Sequence, residues 1–280
     1  MNVSTRNGKA ILVGGIDTGV GKTVVCGLMA RYLLTRGVNA ITVKMVQTGN
    51  VGFSEDLNLH RAMMGRTFPE DAQGLTAPQI FSFPASPLMA SRLDGKTVDV
   101  DRIAQCVTLL QSRYDVVLIE AAGGLAVPLT EDLLTVDFAA SQGWQLILVS
   151  SGKLGSVNHT ILSLESAQAR GLDVLGVAYN YCPDADPAID RDSADYITQY
   201  MQKKGLRPTG SVPDWKRVAP KSAYSEVKHH PLRQRGSPPA LSVVPKVDLS
   251  QIPDGLPSVD FSALFDSIIE THDSCNNHDK

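Results

Sequence analysis

Gly14-Gly15-Ile16-Asp17-Thr18-Gly19-Val20-Gly21-Lys22-Thr23 lies between the apolar run Ala10-Ile11-Leu12-Val13 and the stretch Val24-Val25-Cys26-Gly27-Leu28-Met29-Ala30. The three pieces read as a short strand, a glycine-rich turn and an apolar helix. Glycines let successive backbone N–H groups converge on a phosphate with no Cβ in the way. A helix opening at Gly21 aims its unpaired N–H groups and positive dipole end at the same point. Lys22 is then placed to reach the outer phosphates of a nucleotide, and the Thr23 hydroxyl to reach Mg2+. Five residues separate Gly15 from Gly21, where the usual phosphate-binding loop has four, so this loop is slightly enlarged.

Working outward, the 280 residues allow one large domain or two small ones, and 43% hydrophobic content is ample for a core. A formal charge of -3 leaves no basic footprint, which speaks against nucleic acid as a main partner. No uncharged run approaches a membrane span, and Met1-Asn2-Val3-Ser4-Thr5-Arg6 lacks the apolar core of a signal peptide. Cys26, Cys106, Cys182 and Cys275 form no Cys-x-x-Cys pair, and the first two sit in apolar helical stretches as buried thiols. A reducing cytoplasm is the expected setting.

After a first helix over about 22–36, Ala40-Ile41-Thr42-Val43-Lys44 reads as a second strand running into a loop, Met45 to Asn50. Helices are expected from Glu55 to Met64 with Ser54 as N-cap, from Pro87 to Leu93 after Ser86, and over about 99–113. Residues 65–78 read as loop. Asp115-Val116-Val117-Leu118-Ile119-Glu120 is apolar without alternation, as a strand buried on both faces should be. Residues 145–150 and 173–180 have the same character, with a helix over 156–170 between them. A helix near 187–204 and a short strand near 209–213 complete the pattern. Strands alternating with helices predict an α/β fold, a mostly parallel sheet with helices on both faces that binds ligands at the carboxyl ends of its strands. The expected organisation is a domain over 1–217 and a proline-rich extension over 218–280. A short helix near 259–269 docks the extension back on the same domain.

Three charged positions then acquire meaning. Glu120 ends a buried strand at the edge that carries the phosphate loop, so its carboxylate can reach Mg2+ directly or through water. Lys44 ends the neighbouring strand, where a positive charge would offset charge developing on a transferred phosphate. Asp56, taken alone, reads as an exposed acid at a helix start.

Five blocks together resemble one family, dethiobiotin synthetase. They are Gly15 to Thr23, Lys44-Met45-Val46-Gln47-Thr48-Gly49, Ser54-Glu55-Asp56, Glu120-Ala121-Ala122-Gly123-Gly124, and Gly152-Lys153-Leu154-Gly155-Ser156-Val157-Asn158-His159. The family has the same enlarged phosphate loop, and the likeness covers about residues 9–215. The resemblance implies an ATP- and Mg2+-dependent cyclo-ligase of biotin biosynthesis with a P-loop nucleoside triphosphate hydrolase-like fold. Its substrates would be 7,8-diaminopelargonate and CO2 or bicarbonate. One amine becomes a carbamate, the carbamate attacks the γ-phosphate, and the second amine displaces phosphate to close the cyclic urea. On matching positions Lys22 would bind the β- and γ-phosphates within a nucleotide site of Gly19, Val20, Gly21, Lys22 and Thr23. Thr23, Asp56 and Glu120 would hold Mg2+. Catalysis would fall to Lys22, Lys44 and Thr18, and Asn180 and Pro213 would line the base pocket. The diamine would meet Thr48 and, from a neighbouring subunit, Leu154, Gly155, Ser156 and Asn158, which implies a homodimer with shared active sites. Without the resemblance Asn158 and His159 read as ordinary helix-start residues, and His159 remains unassigned.

The sequence also departs from the family. Met45 replaces a common proline, Thr48 a usual serine, and Leu125-Ala126-Val127 a segment that often carries an aromatic residue. Gly19 stands where an acid or other polar residue is frequent, and family members tend to end sooner after Val212-Pro213. The rival reading is a partitioning or assembly ATPase of the same superfamily. Those proteins carry an extra lysine at the position of Asp17. An amidating synthetase of cobalamin biosynthesis would need a further glutaminase domain, and a degenerate nucleotide-binding scaffold would not retain Lys22, Thr23, Lys44, Asp56 and Glu120 together.

Overall fold

A computed structural model describes residues 7–181, 186–206, 210–212, 259–265 and 269. Pro213, Cys182, Cys275 and the stretch 218–258 lie outside the described residues. The phosphate-loop segment is strand β1 (Lys9–Gly15), a turn, and helix α1 (Lys22–Thr35), followed by strand β2 (Ala40–Lys44). Next come strand β3 (Gln47–Thr48), helices α2 (Glu55–Met64) and α3 (Pro69–Ala72), strand β4 (Ile80–Phe81), and helices α4 (Pro87–Leu93) and α5 (Val100–Gln111). The second half alternates strand β5 (Val116–Gly124), helix α6 (Thr135–Ser141), strand β6 (Gln145–Ser151), helix α7 (Ser156–Ala169) and strand β7 (Asp173–Asn180). Helix α8 (Pro187–Lys203) and strand β8 (Gly210–Val212) follow.

Six strands form one sheet in the order β2-β5-β1-β6-β7-β8, every neighbouring pair parallel. The chain leaves β1 toward β2 on one side and returns through β5 to build β6, β7 and β8 on the other. That reversal opens a crevice at the carboxyl end of β1, the place where open α/β sheets bind ligands. The strands are apolar on both faces because helices cover both. Ile11, Leu12, Val13, Val116 to Ile119 and Leu146 to Val149 are fully excluded from water. The fold is therefore the expected α/β, P-loop nucleoside triphosphate hydrolase-like one.

Helix α2 packs against α1 at Gly27, with no room there for a side chain. Gly27 sits in mid-helix, where glycine costs about 1 kcal/mol relative to alanine. A Cβ there would lie 2.6 Å from Met63 Sδ and 3.5 Å from the His60 Cα. The missing side chain brings the inner face of α2 against the sheet edge. Ser54 caps α2 as expected, its Oγ accepting from Leu57 N–H at 3.2 Å.

The structure corrects several sequence expectations. β5 does not end at Glu120 but runs on to Gly124, paired with β1 through Gly15. The segment after Lys44 is not all loop, because Gln47 and Thr48 pair in parallel with Ile80 and Phe81. A two-residue strand has no period to read, and its partner lies more than thirty residues away. α3 lies within the stretch expected as loop, and α6 went unseen because no side chain caps it and tertiary packing holds it. Ser86 precedes Pro87 as expected but makes no side-chain cap.

Residues 262–265 form a helical turn, and Phe261 and Phe265 are fully buried against Tyr32 of α1, with ring centroids 5.8 and 6.4 Å away. Among the described residues no helix is long and apolar enough to cross a membrane.

Candidate functional site

The phosphate loop turns twice through left-handed backbone, at Gly19 (φ 72°) and Gly21 (φ 91°), which side-chain-bearing residues adopt only under strain. Gly21 is also the N-cap of α1 and has no side-chain partner there, so the first-turn N–H groups stay available to an anion. Lys22 folds back over the loop, its Nζ donating to the Asp17 carbonyl at 2.8 Å. Burial, and next the Lys44 charge, bring the Lys22 ammonium down to about 8, with Glu120, Asp56 and Asp17 opposing. Thr18 is exposed at the tip, its N–H donating to Asp17 Oδ1 at 2.7 Å. Val20 is buried, and Asn180 at the end of β7 donates from Nδ2 to its carbonyl at 2.9 Å. The other amide atom, Asn180 Oδ1, is buried without a hydrogen-bond partner among the described residues. Asn180 thus latches the loop from β7, two strands along the sheet from β1, and keeps one acceptor in reserve.

Behind the loop, four side chains from four elements converge. Thr23 Oγ1 lies 3.0 Å from Asp56 Oδ1 and 2.9 Å from Glu120 Oε1. Lys44 Nζ bridges the same two acids, 2.5 Å from Asp56 Oδ2 and 2.8 Å from Glu120 Oε1. Register explains the meeting, since Lys44 and Glu120 are direct neighbours across the parallel pair β2–β5. Burial alone would discharge both groups. Glu120 and Asp56 outweigh it for Lys44 and hold its ammonium well above the usual lysine range. Lys44 and then His60 outweigh it for Glu120 and hold that carboxyl well below the usual range. Asp56, which reads from sequence as an exposed acid, is only a quarter exposed and ion-paired.

Three hard oxygen donors, one hydroxyl and two carboxylates, suit Mg2+, which takes one or two carboxylates and leaves its other positions to water and phosphate. Thr23, Asp56 and Glu120 fit that ion.

The remaining predicted residues separate into two groups. Thr48 is half-buried in β3, four residues beyond Lys44 in the chain but in the separate two-stranded sheet with β4. The second glycine junction, between β6 and α7, faces outward. Leu154 is 92% exposed, and Gly155 and Asn158 are exposed as well. Gly155 caps α7 in left-handed backbone (φ 93°) with no side-chain partner. Ser156, expected to meet the diamine, is turned inward. Its N–H already donates to the Lys153 carbonyl at 3.0 Å, and its buried hydroxyl meets Ser151 Oγ at 3.1 Å. That turn closes on itself, so an anion there would have to use later amides of α7. Lys153 reaches back toward the phosphate loop, donating to the Gly19 carbonyl at 3.4 Å. Pro213 lies outside the described residues.

The sequence reading missed His60. It is fully buried, with Nε2 3.0 Å from Glu120 Oε2, off the line of a straight hydrogen bond, and Nδ1 3.0 Å from Thr42 Oγ1. The available signal was spacing: His60 follows Asp56 by four residues on one helix and therefore shares its face.

Comparison with known proteins agrees with this geometry. A family described as AAA domain matches residues 9–250. An ATP-dependent dethiobiotin synthetase of Pasteurella multocida is 41% identical over 196 residues, covering 70% of this chain and 92% of that protein. One from Haemophilus influenzae is 45% identical over 180 residues, covering 64% of this chain and 94% of that protein. One from Chlorobaculum tepidum is 44% identical over 200 residues, covering 71% and 84%. At such identity over nearly the whole length of these relatives, the chain belongs to the dethiobiotin synthetase family of ATP-dependent ligases.

Proposed function

We propose that the chain converts 7,8-diaminopelargonate, CO2 and ATP to dethiobiotin, ADP and phosphate. The observation that carries the reading is Lys44. It is a buried ammonium held charged between two carboxylates at the carboxyl edge of the sheet, beside a phosphate loop whose own lysine is also buried. One amine of the substrate adds to CO2 and loses a proton, giving a carbamate. A carbamate oxygen then attacks the γ-phosphorus as ADP leaves, forming a carbamic–phosphoric anhydride. The second amine attacks the anhydride carbonyl, phosphate departs, and the five-membered urea closes. No side chain need act as a nucleophile, so the protein's task is positioning and charge stabilisation.

Within this reading Lys22 and the loop amides bind the β- and γ-phosphates, and Thr18 closes the tip of the loop over them. Lys44 offsets negative charge on the carbamate and on the transferring phosphoryl group. Mg2+ held by Thr23, Asp56 and Glu120 would neutralise charge on the β- and γ-phosphate oxygens. Thr48 offers a hydroxyl to the diamine or carbamate. Asn180 Oδ1 offers an acceptor to the nucleotide base. The outward-facing Leu154, Gly155 and Asn158 supply the substrate's tail carboxylate with contacts to a second copy's site, which makes a homodimer the working unit. A cytoplasmic enzyme fits such soluble substrates.

The test is incubation with radiolabelled bicarbonate, the diamine and Mg-ATP. The expected result is a labelled cyclic urea and phosphate release that depends on the diamine. Label that never enters a cyclic urea, or ATP turnover indifferent to the diamine, would overturn the reading.

A further inference from the structure

The cluster around Lys44 shows what holds Glu120 from the front, at Oε1. Its other oxygen, Oε2, points away from Thr23 and Lys44 toward His60 Nε2. Glu120 is 1% exposed, so no bulk water is available to that oxygen. We propose that His60 is a positioning residue, which turns the Glu120 carboxylate so that Oε1 faces the reacting phosphates and the metal. This rests on the assignment of Glu120 to the Mg2+ site.

A one-way hydrogen-bond chain sets the ring. Asp71 grips Arg61 with both oxygens, Oδ2 to Nε at 2.8 Å and Oδ1 to Nη2 at 2.7 Å. Arg61 Nη1 then donates to Thr42 Oγ1 at 2.6 Å, and Nη2 to the Thr42 carbonyl at 3.1 Å. A guanidinium can only donate, so the Thr42 hydroxyl accepts from Arg61 and keeps its own proton available for His60 Nδ1, 3.0 Å away. The Glu120 carboxylate, 3.0 Å from Nε2 though off the line of a straight hydrogen bond, can only accept, which favours the ring N–H on Nε2 and leaves Nδ1 to accept from Thr42.

Two periodicities bring the parts together. Thr42 and Lys44 are two apart on β2 and share a side of the strand, while Asp56 and His60 are four apart on α2 and share a side of the helix. The close α1–α2 approach that Gly27 allows presses the second pair onto the first. Helices of this length usually direct their buried face at an apolar core, yet here it carries His60 and Arg61 beside Leu57 and Met63. Oriented partners behind a metal-binding carboxylate are known to control how it binds.

The experiment compares wild type, His60→Leu and His60→Gln, the last retaining an N–H donor. Mn2+ affinity is measured by electron paramagnetic resonance with a non-hydrolysable ATP analogue, and kcat and KM are measured separately. The Leu variant should bind Mn2+ about 10- to 100-fold more weakly and lose kcat in step, with KM for the diamine little changed. The Gln variant should recover most of both. In wild type, 15N spectra of the imidazole should show the proton on Nε2, and a Thr42→Val variant should lose that preference. Equal Mn2+ affinity in Leu and wild type, a Gln variant no better than Leu, or a proton found on Nδ1 would overturn the proposal. Because Mn2+ binding needs no diamine, a metal effect without cyclic-urea formation would support the positioning role while sinking the substrate reading.

Discussion

Two junctions in this protein have the same backbone and opposite surroundings. At the end of β1 and at the end of β6 the chain passes a glycine in left-handed conformation, φ 91° at Gly21 and 93° at Gly155, and enters a helix with no side-chain cap. Neither junction has a side-chain cap in its first helical turn, although the Ser156 amide that opens α7 is already taken by the Lys153 carbonyl. The first is enclosed by its own fold, with Asn180 packed against Gly21, Lys22 and Val20 buried, and two acids and Lys44 behind it. The second is open, with Leu154, Gly155 and Asn158 in solvent. A helix N-terminus is thus only a capacity. What surrounds it decides whether it is enclosed by its own fold, as at Gly21, or left open to solvent, as at Gly155.

The largest effect should come from the enclosed junction. Lys22→Ala is expected to cost about 100- to 1,000-fold in nucleotide-dependent turnover, with loss of analogue binding, as measured by steady-state assay and calorimetry. Lys44→Ala separates binding from chemistry. Nucleotide analogue affinity should stay near wild type while kcat falls about 100-fold or more, and unchanged turnover would refute its role. The same variant leaves Glu120 buried without its main counter-charge, so a thermal melt should show about 3–5 kcal/mol of destabilisation.

The glycines test the contrast directly. Gly155→Ala meets nothing closer than His159 Cε1 at 4.0 Å, so it should cost only the left-handed penalty of about 1–2 kcal/mol. Gly21→Ala carries that penalty and also drives a methyl into Asn180, so it should cost more and weaken nucleotide binding as well. Equal losses in the two variants would mean the enclosure of the first junction has no energetic content. Asn158→Ala should weaken diamine binding about tenfold, the worth of one hydrogen bond, at unaltered nucleotide affinity.

The smallest effect is in pH. Lys22 is brought from 10.5 to about 8 in the folded chain, chiefly by burial and then by Lys44. Between those values the unfolded chain binds the proton and the folded one does not, so this group's contribution makes stability rise with pH across that window. Below pH 8 both states are protonated and the penalty is complete. Phosphate would restore the charge, so nucleotide binding above pH 8 should take up a proton. Calorimetry in buffers of different ionisation enthalpy reads this, and Lys22→Ala should abolish it.

Much of this was legible in the sequence because it is local. The enlarged phosphate loop, the Ser54 cap of α2 and the unalternating strands each follow from residues adjacent in the chain, and the structure bears out those elements. The miniature sheet of Gln47–Thr48 with Ile80–Phe81 was not legible, since its only signal is a pairing across the loop and two helices between. Nor was the closed turn at Ser156, whose hydroxyl is buried against Ser151 and whose amide is used by the Lys153 carbonyl.

The sequence by itself determined that an enlarged glycine-rich turn of the phosphate-loop kind lies between β1 and α1 and that a parallel sheet carries it, because glycine conformation and apolar runs act over a few residues. Only the tertiary structure decided that Asp56 is an ion-paired partner of Lys44 instead of an exposed acid, and that His60 stands behind Glu120. Those facts depend on strand register and on how closely α2 approaches α1. Buried charges feel whatever lies within a few ångströms in space, however far apart it lies along the chain.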